Sequence, residues 1–269
     1  AETYLSGAAT NYDEFSSAVV ASTVFHAHEQ SMFLGGELIP IINAPQGVVN
    51  IPELAAATAY SIGGGDLTAD VTASAPTAAD NNFTVDLIAA RSVVRDLGNV
   101  DPNEIGRLLG VAVSKKFDQT IYTALDSATA STADSVPLSV ADMYDAVKQI
   151  RSNGEMGELY AVLTPAEATN LMKEIAADGF QGEYQVEALR NGYVGSLAGC
   201  RMFMSSYITT ANTAGYIFGK DALRIGMQQN VNVEIGRRPE AVGNDVVASL
   251  HAGVGEVDWK LVCFELFQN

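Results

Sequence analysis

Apolar residues recur at helical spacing through one long stretch of the chain. From Ile105 through Leu108, Leu109, Ala112, Val113, Phe117 and Ile121 to Leu125 most fall three or four positions apart, the repeat of a helix with a buried face. Asp101 stands at the N-cap position, Pro102 takes the first helical position, and Glu104 follows three residues after the cap. That is the order of a capping box with a preset φ. The next proline is Pro137. The pattern predicts a helix of about 24 residues, a rod of roughly 36 Å at ~1.5 Å per residue. Helices in globular domains average about three turns, so another part of the structure must lie along this one.

Before it, the pattern changes twice. Ser16–Phe33 carries apolar residues at 19, 20, 24 and 27. This loose period predicts a helix within an N-terminal arm over residues 1–36, expected to lie on a neighbouring subunit. Residues 37–98 contain Pro40, Pro45, Pro52 and Pro76 and a Gly63-Gly64-Gly65 turn. Gly47–Ile51, Thr58–Ile62 and Phe83–Ile88 are strand-like, and Phe83, Val85 and Leu87 alternate with Thr84 and Asp86, the period of a half-buried strand. These residues predict a long β-hairpin with a small-residue tip at 68–82. An isolated two-stranded hairpin is marginally stable, so this one is expected to lean on other structure, including another subunit.

After the long helix comes a Ser/Thr/Ala linker, Ser127–Ser135. Ser139 with Asp142 predicts a capped helix with Met143, Val147 and Ile150 on its apolar face, stopped by Asn153-Gly154. Leu159–Leu163 is a short buried strand, and Thr164-Pro165-Ala166-Glu167 is a further capping box opening a helix to Ala177. The remainder reads as β-structure: a turn and strand over Gly192–Met204, a hairpin of Ala214–Lys220 with Ala222–Met227 about Lys220-Asp221, alternating Val231, Val233 and Ile235, and closing strands at 246–252 and 257–267.

Composition adds a large core and a one-sided charge. The 269 residues are 48% apolar, well away from a disordered composition. Thirty-two acids against fifteen bases give a net charge of −17. Such a surface repels phosphate and anionic lipid, which argues against intrinsic nucleic-acid binding and against association with an anionic membrane. No apolar run reaches membrane-spanning length, and the N-terminus lacks the basic and apolar regions of a secretion signal. The first residue, Ala1, is expected to follow either methionine removal or cleavage of a precursor. From Glu37 to Ala90 there is no Lys or Arg, and six acids: Glu37, Glu53, Asp66, Asp70, Asp80 and Asp86. Arg91 and Arg95 end that run. Acids on a cation-free hairpin can meet cations of a neighbouring subunit, where ion pairs set register more than affinity. The candidate inter-subunit residues are therefore Glu53, Asp66, Asp70, Asp80, Asp86, Arg91 and Arg95, with Lys115 and Lys116 of the long helix. The plain alternative for the two lysines is a solvated helix face.

No constellation carries a reaction. His26-Ala27-His28 sends its two rings to different helix faces and lacks the further ligands of a zinc site. Gly195-Ser196-Leu197-Ala198-Gly199 has its serine in the wrong slot for a nucleophile elbow. Gly63-Gly64-Gly65-Asp66 lacks the Gly-Lys-Ser/Thr of a phosphate loop. Asn82-Phe83-Thr84 matches a glycosylation triplet without a secretory signal. Cys200 and Cys263 sit among apolar residues without a Cys-x-x-Cys spacing and are expected as buried free thiols. No enzyme activity, metal or cofactor is expected.

The order of elements resembles the major capsid proteins of tailed bacteriophages with the Hong Kong 97 phage fold, from about residue 16 onward. The hairpin resembles the family's extended loop, and Asp101–Asp126 its spine helix. Leu159–Pro165 followed by Leu171 is similar to the family's strand, Asn/Thr-Pro, helix step. Gly195–Met202 is similar to its Gly-x-Leu-x-Gly-x-Pro-Val turn, with Cys200-Arg201 where proline is usual. Tyr216-Ile217-Phe218-Gly219-Lys220 resembles the strand and turn that follow, and 246–267 the return strands.

The resemblance implies an α+β fold: N-terminal arm 1–36, extended β-hairpin loop 37–98, peripheral domain with spine helix 99–135, axial domain mostly 136–235, and return strands of the peripheral domain 236–269. It implies homo-oligomeric hexamers and pentamers of an icosahedral shell around double-stranded DNA, enclosed without specific binding. Location would be the virion, after assembly in the host cytoplasm, with portal and cement proteins as separate partners and the scaffold either a separate protein or a region cleaved off. Some family members cross-link through an extended-loop lysine; without a lysine over 37–90, no such bond is expected here. A cellular encapsulin-type shell around protein cargo is the same-fold alternative. An unrecognised enzyme or binding domain, a soluble monomer, is the remaining one.

Overall fold

The computed structural model describes residues 9–54, 78–95, 101–126, 131–132, 138–177, 193–209, 213–257 and 263–267. Helix α1 is Ala9–Gln30. Strands β1 (Ile41–Asn43), β2 (Val48–Leu54), β3 (Ala78–Thr84) and β4 (Asp86–Arg95) precede helix α2, Pro102–Leu125. Then come β5 (Ser131–Thr132), α3 (Val140–Ser152), β6 (Leu159–Leu163) and α4 (Pro165–Ala177). Strands β7 (Tyr193–Leu197), β8 (Cys200–Met204), β9 (Thr213–Gly219), β10 (Leu223–Arg238), β11 (Gly243–Glu256) and β12 (Cys263–Phe267) complete the order.

Helix α2 is the predicted rod. The Asp101 carboxylate accepts the Asn103 N–H at 3.0 Å, and Pro102 occupies the first turn. Glu104 pairs with Arg107 one turn on, at 2.9 Å to Nε. Its buried residues form two adjacent rows. Ile105, Leu109, Val113, Phe117 and Ile121 join a core with Val246, Ala248, Leu250 and Ala252 of β11. The second row, Gly106, Gly110, Ser114 and Asp118, is small or polar and equally buried. Leu108 and Ala112, counted with the apolar face in the sequence, are exposed.

Helix α1 lies on the small-residue row, running parallel to α2. It presents Phe15, Val19, Thr23 and Ala27, four residues apart and all buried. The Thr23 hydroxyl donates back to Val19 O at 2.8 Å, so its burial leaves no orphan group. A Cβ on Gly106 would stand 2.6 Å from Ser22 Cβ, and one on Gly110 would stand 2.5 Å from Thr23 O. Only glycine allows this approach. The expectation that the N-terminal helix lies on a neighbouring subunit is corrected: α1 buries its apolar face on its own chain. Asp118 closes the row, accepting from Ser31 Oγ at 2.6 Å and from Met32 N–H at 3.3 Å.

Two larger sheets share the rest. One has the order β1-β10-β11-β4, with β1 parallel to β10 and the other pairs antiparallel. The second has the order β5-β12-β9-β6-β8-β7. Its Leu159, Ala161, Leu163 and Ile217 pack with Met143, Val147, Ile150 and Leu171 of α3 and α4. Its opposite face sends Tyr160, Val162, Tyr216 and Phe218 into the α2 core. Tyr122, near the end of α2, stacks on Tyr216 at 6.1 Å and meets Phe33 edge-on at 5.6 Å. The helix thereby joins the two sheets.

Several local expectations hold. Ser139 and Asp142 form a closed capping box. Asn153 caps α3, and Gly154 follows at φ +101°. Within Gly195–Gly199 the turn is Ala198-Gly199, both at positive φ, which joins β7 to β8; Gly195–Leu197 are the paired end of β7. Ser196 pairs with Arg201 within that ladder.

Others are corrected. Thr164 does not use its N–H in a reciprocal box, because that N–H donates to Ala214 O at 2.9 Å. The buried Glu167 carboxylate accepts from Leu138 N–H at 2.8 Å, tying the start of α3 to α4. The hairpin expected about Lys220-Asp221 is not one. β9 is buried along its whole length between β12 and β6, and the chain then crosses to the other sheet as β10. The boundary expected at 235 therefore falls inside β10. The closing strands separate as well, β11 into the four-stranded sheet and β12 into the six-stranded one.

Candidate assembly surface

Among the described residues there is no group of three or more His, Cys, Asp and Glu that could hold a metal ion, and no helix long and apolar enough to cross a membrane. Cys200 is buried, and burial pushes its thiol up to about 11. Cys263 lies in β12. What the chain offers is surface.

The hairpin is the first part. β2 and β3 pair antiparallel from Val48↔Thr84 to Leu54↔Ala78. The tip read at 68–82 lies outside the described residues up to 77, and 78–82 is paired strand. The strand-like 58–62 also lies outside them. The hairpin base sits on a glycine saddle of the four-stranded sheet. A Cβ on Gly255 would fall 1.8 Å from Phe83 Cδ1, and one on Gly226 would fall 2.8 Å from Val49 Cγ2. Asn81 Nδ2 donates to Val257 O at 3.2 Å, and Val85 N–H donates to Gly47 O at 2.9 Å. At Val85 the strand leaves the hairpin, and the phase shifts by one residue. Ile88 and Val94 point inward while Leu87 and Val93 are exposed, which corrects the alternation read through Leu87.

β4 is the edge of its sheet among the described residues, paired with β11 on one side. Beside it runs a groove of about 520 Å³, lined by Ala90 to Arg95 of β4 and by Ile105, Leu108, Leu109 and Ala112 of α2.

The candidate residues distribute over these parts. Glu53 is in β2 opposite Ala79, and Asp80 is in β3 opposite Pro52 and exposed. Asp66 and Asp70 lie outside the described residues. Asp86 begins β4 and is exposed. Arg91 is engaged within the chain: its Nε donates to both Asp245 oxygens, at 2.7 and 2.9 Å. That guanidinium holds the Asp245 carboxyl below the usual carboxylate range. Arg95 is exposed at the end of β4, paired in the ladder with Gly243 of β11. Lys115 and Lys116 are exposed on α2, and Lys115 Nζ stands 5.8 Å from the centre of the Tyr207 ring. The structure thus brings Arg91 and Arg95 together at one groove and leaves the lysines on another face.

Sequence reading missed Asp118. Burial pushes its carboxyl up to about 7 against the pull of the Ser31 and Met32 bonds. Its only signal was the four-residue spacing of Gly106, Gly110, Ser114 and Asp118, hidden inside a stronger leucine pattern.

A rod helix joins two sheets, and a two-stranded hairpin sits on one of them. The family model for phage capsid protein matches residues 103–263, and the chain belongs to that family. It has the Hong Kong 97-like fold of a bacteriophage major capsid protein, a structural component of an icosahedral capsid. Among solved structures, the capsid of cyanophage P-SCSP1u is similar with a TM-score of 0.65 at 16% identity, over 89% of this chain and 88% of that one. Mycobacterium phage Che8 gives 0.63 at 20% identity, over 82% and 84%. A virus-like particle from Pyrococcus furiosus gives 0.64 at 12%, over 92% and 97%. At these identities the likeness shows the fold. No curated protein matches the sequence.

Proposed function

We propose that this chain assembles as hexamers and pentamers into an icosahedral phage head that encloses double-stranded DNA without binding it specifically. The observation that carries the reading is the capsid family match across residues 103–263, laid over a fold with a separate two-stranded hairpin seated on the four-stranded sheet. The charge of −17 supports it, since a shell that gripped phosphate would hinder packaging and release. In this reading α1, α2 and the four-stranded sheet form the peripheral domain, and the six-stranded sheet with α3 and α4 forms the axial one. The hairpin is the extended loop. The chain acts as a shell component of the virion and not as an enzyme, assembled in the host cytoplasm, with scaffold, portal and cement functions on separate proteins.

Electron microscopy of particles from the purified chain and from its source tests this. Closed polyhedral heads, filled with nuclease-protected double-stranded DNA when taken from the source, are expected. A chain that stays monomeric at all concentrations would refute it. A cellular compartment shell is the second reading, favoured by the likeness to the Pyrococcus furiosus virus-like particle over 97% of that chain. Small shells holding protein and no DNA would establish it instead.

A further inference from the structure

The exit of α1 is tied to α2 through one carboxyl. Ser31 follows the last residue of α1, and its N–H donates to Ala27 O at 3.2 Å. Its hydroxyl donates to Asp118 Oδ1 at 2.6 Å and accepts the N–H groups of Phe33 and Leu34, each at 3.2 Å. Met32 N–H donates to Asp118 Oδ2 at 3.3 Å. Three successive backbone donors thus converge on the Ser31–Asp118 pair. Phe33 and Leu34 are themselves buried, Phe33 beside the Tyr122 and Phe218 rings.

Asp118 is 1% exposed, and among the described residues nothing packed on it supplies an opposite charge. The exit of α1 gives it Ser31 and main chain, while His26 and Glu29 further back pair with each other at 3.0 Å. The segment after β8 contributes Tyr207 and α2 contributes Tyr122, two phenols that burial raises above the usual tyrosine range and so keeps neutral. Lys115, one turn back on α2, is exposed, with its Nζ over the Tyr207 ring. A neutral carboxyl keeps an acceptor oxygen for the Ser31 hydroxyl. A charged one stays buried without a counter-ion or must reach water. Opening residues 31–34 exposes it to water, while the rest of α1 is held separately by its close approach to Gly106 and Gly110.

We propose that Ser31 and Asp118 form a proton-operated catch: the neutral carboxyl holds the exit of α1 closed on α2, and its ionisation releases residues 31–34 while the rest of the fold stays in place. Burial sets the direction. The carboxyl loses its proton at about 7 in the closed chain and at 3.8 once open. Opening therefore increases as pH rises between those values and levels off above them. From pH 5 to pH 8 the gain is roughly a hundredfold.

The test is hydrogen exchange of the unassembled full chain at pH 5 and pH 8, corrected for the intrinsic base-catalysed rate. The amides of Met32, Phe33 and Leu34 should open roughly a hundredfold more at pH 8, while those of Val113 to Phe117 on α2 keep their protection. Asp118→Asn retains an acceptor for Ser31 and has no proton to lose, so its opening should be the same at both pH values. A wild-type ratio no larger than that of the variant would overturn the proposal. So would equal loss of protection along α2, which would make Asp118 a determinant of global stability and not a catch. Should the variant fail to fold, the Asp118 carboxyl carbon of the wild-type chain is titrated by nuclear magnetic resonance. A midpoint near 7 supports the catch, and one in the ordinary carboxylate range refutes it. Both readouts use the unassembled chain, so their outcome is separate from that of the shell reading.

Discussion

Gly110→Ala is the sharpest test of how α1 is held. In an isolated helix the change gains about 1 kcal/mol, because alanine is the best helix former and glycine among the worst. Here the new methyl would stand 2.5 Å from Thr23 O and 3.0 Å from Ala27 N, both backbone atoms of α1. Ordinary contact begins near 3.4 Å, so α1 must retreat by close to an ångström. Neither atom belongs to a flexible side chain that could swing away. Overpacking of this kind costs ~1–3 kcal/mol. The retreat also stretches the Ser31–Asp118 bond, now 2.6 Å. The sum offsets the propensity gain: a net loss of up to roughly 2 kcal/mol is expected. The assay is urea unfolding of the unassembled chain, at a concentration where assembly does not add to apparent stability. Hydrogen exchange across Phe15–Ala27 should rise in the same variant. Gly110→Ala at or above wild-type stability, with α1 still protected, would refute the close packing of the two helices.

Three further outcomes follow from the same geometry. Asp118 has its folded pKa raised to about 7 from 3.8, so the folded state binds more protons between those values, and stability is full below pH 4 and falls as pH rises to 7. The span corresponds to roughly 4 kcal/mol, and Asp118→Asn should flatten that part of the curve in denaturant melts at pH 4, 5.5, 7 and 8; an unchanged slope would show that Asp118 ionises freely. Gly255→Ala should expel the Phe83 ring and cost ~1–3 kcal/mol, and adding Phe83→Ala should recover part of the loss; purely additive losses would rule out their contact. Assembled particles boiled in denaturant should run as a single monomer band, because no lysine lies between Glu37 and Ala90; a ladder would show covalent joining by another route.

Much of the fold was legible because its determinants are local. Asp101 and Pro102 start α2 through groups within three residues, and the Ser139–Asp142 box starts α3 in the same way. The pairing of β2 with β3 was foreshadowed by alternation at Phe83 and Val85. The Lys220-Asp221 turn misled, because a turn between two β-prone segments has the same local chemistry whether the strands pair or part. The outcome depended on β9 finding β6 and β12, more than 40 residues away on either side. The groove was half legible: Arg91 and Arg95 ended a cation-free run, but their neighbour Leu108 was counted as core.

The sequence by itself determined the caps, the long helix, the acidic cation-free stretch and, through their order, the capsid resemblance. Each depends on neighbours a few residues apart or on composition, and both survive without coordinates. Only the tertiary structure decided that α1 lies on its own α2, that β10 parts from β9 and β12 from β11 into different sheets, and that among the described residues β4 is an edge beside a groove. These are matters of which surfaces meet. Gly106 and Gly110 have no pattern of their own until α1 fills the space a side chain would take, and Arg95 is an ordinary surface cation until the strand it ends stands, among the described residues, at the edge of its sheet.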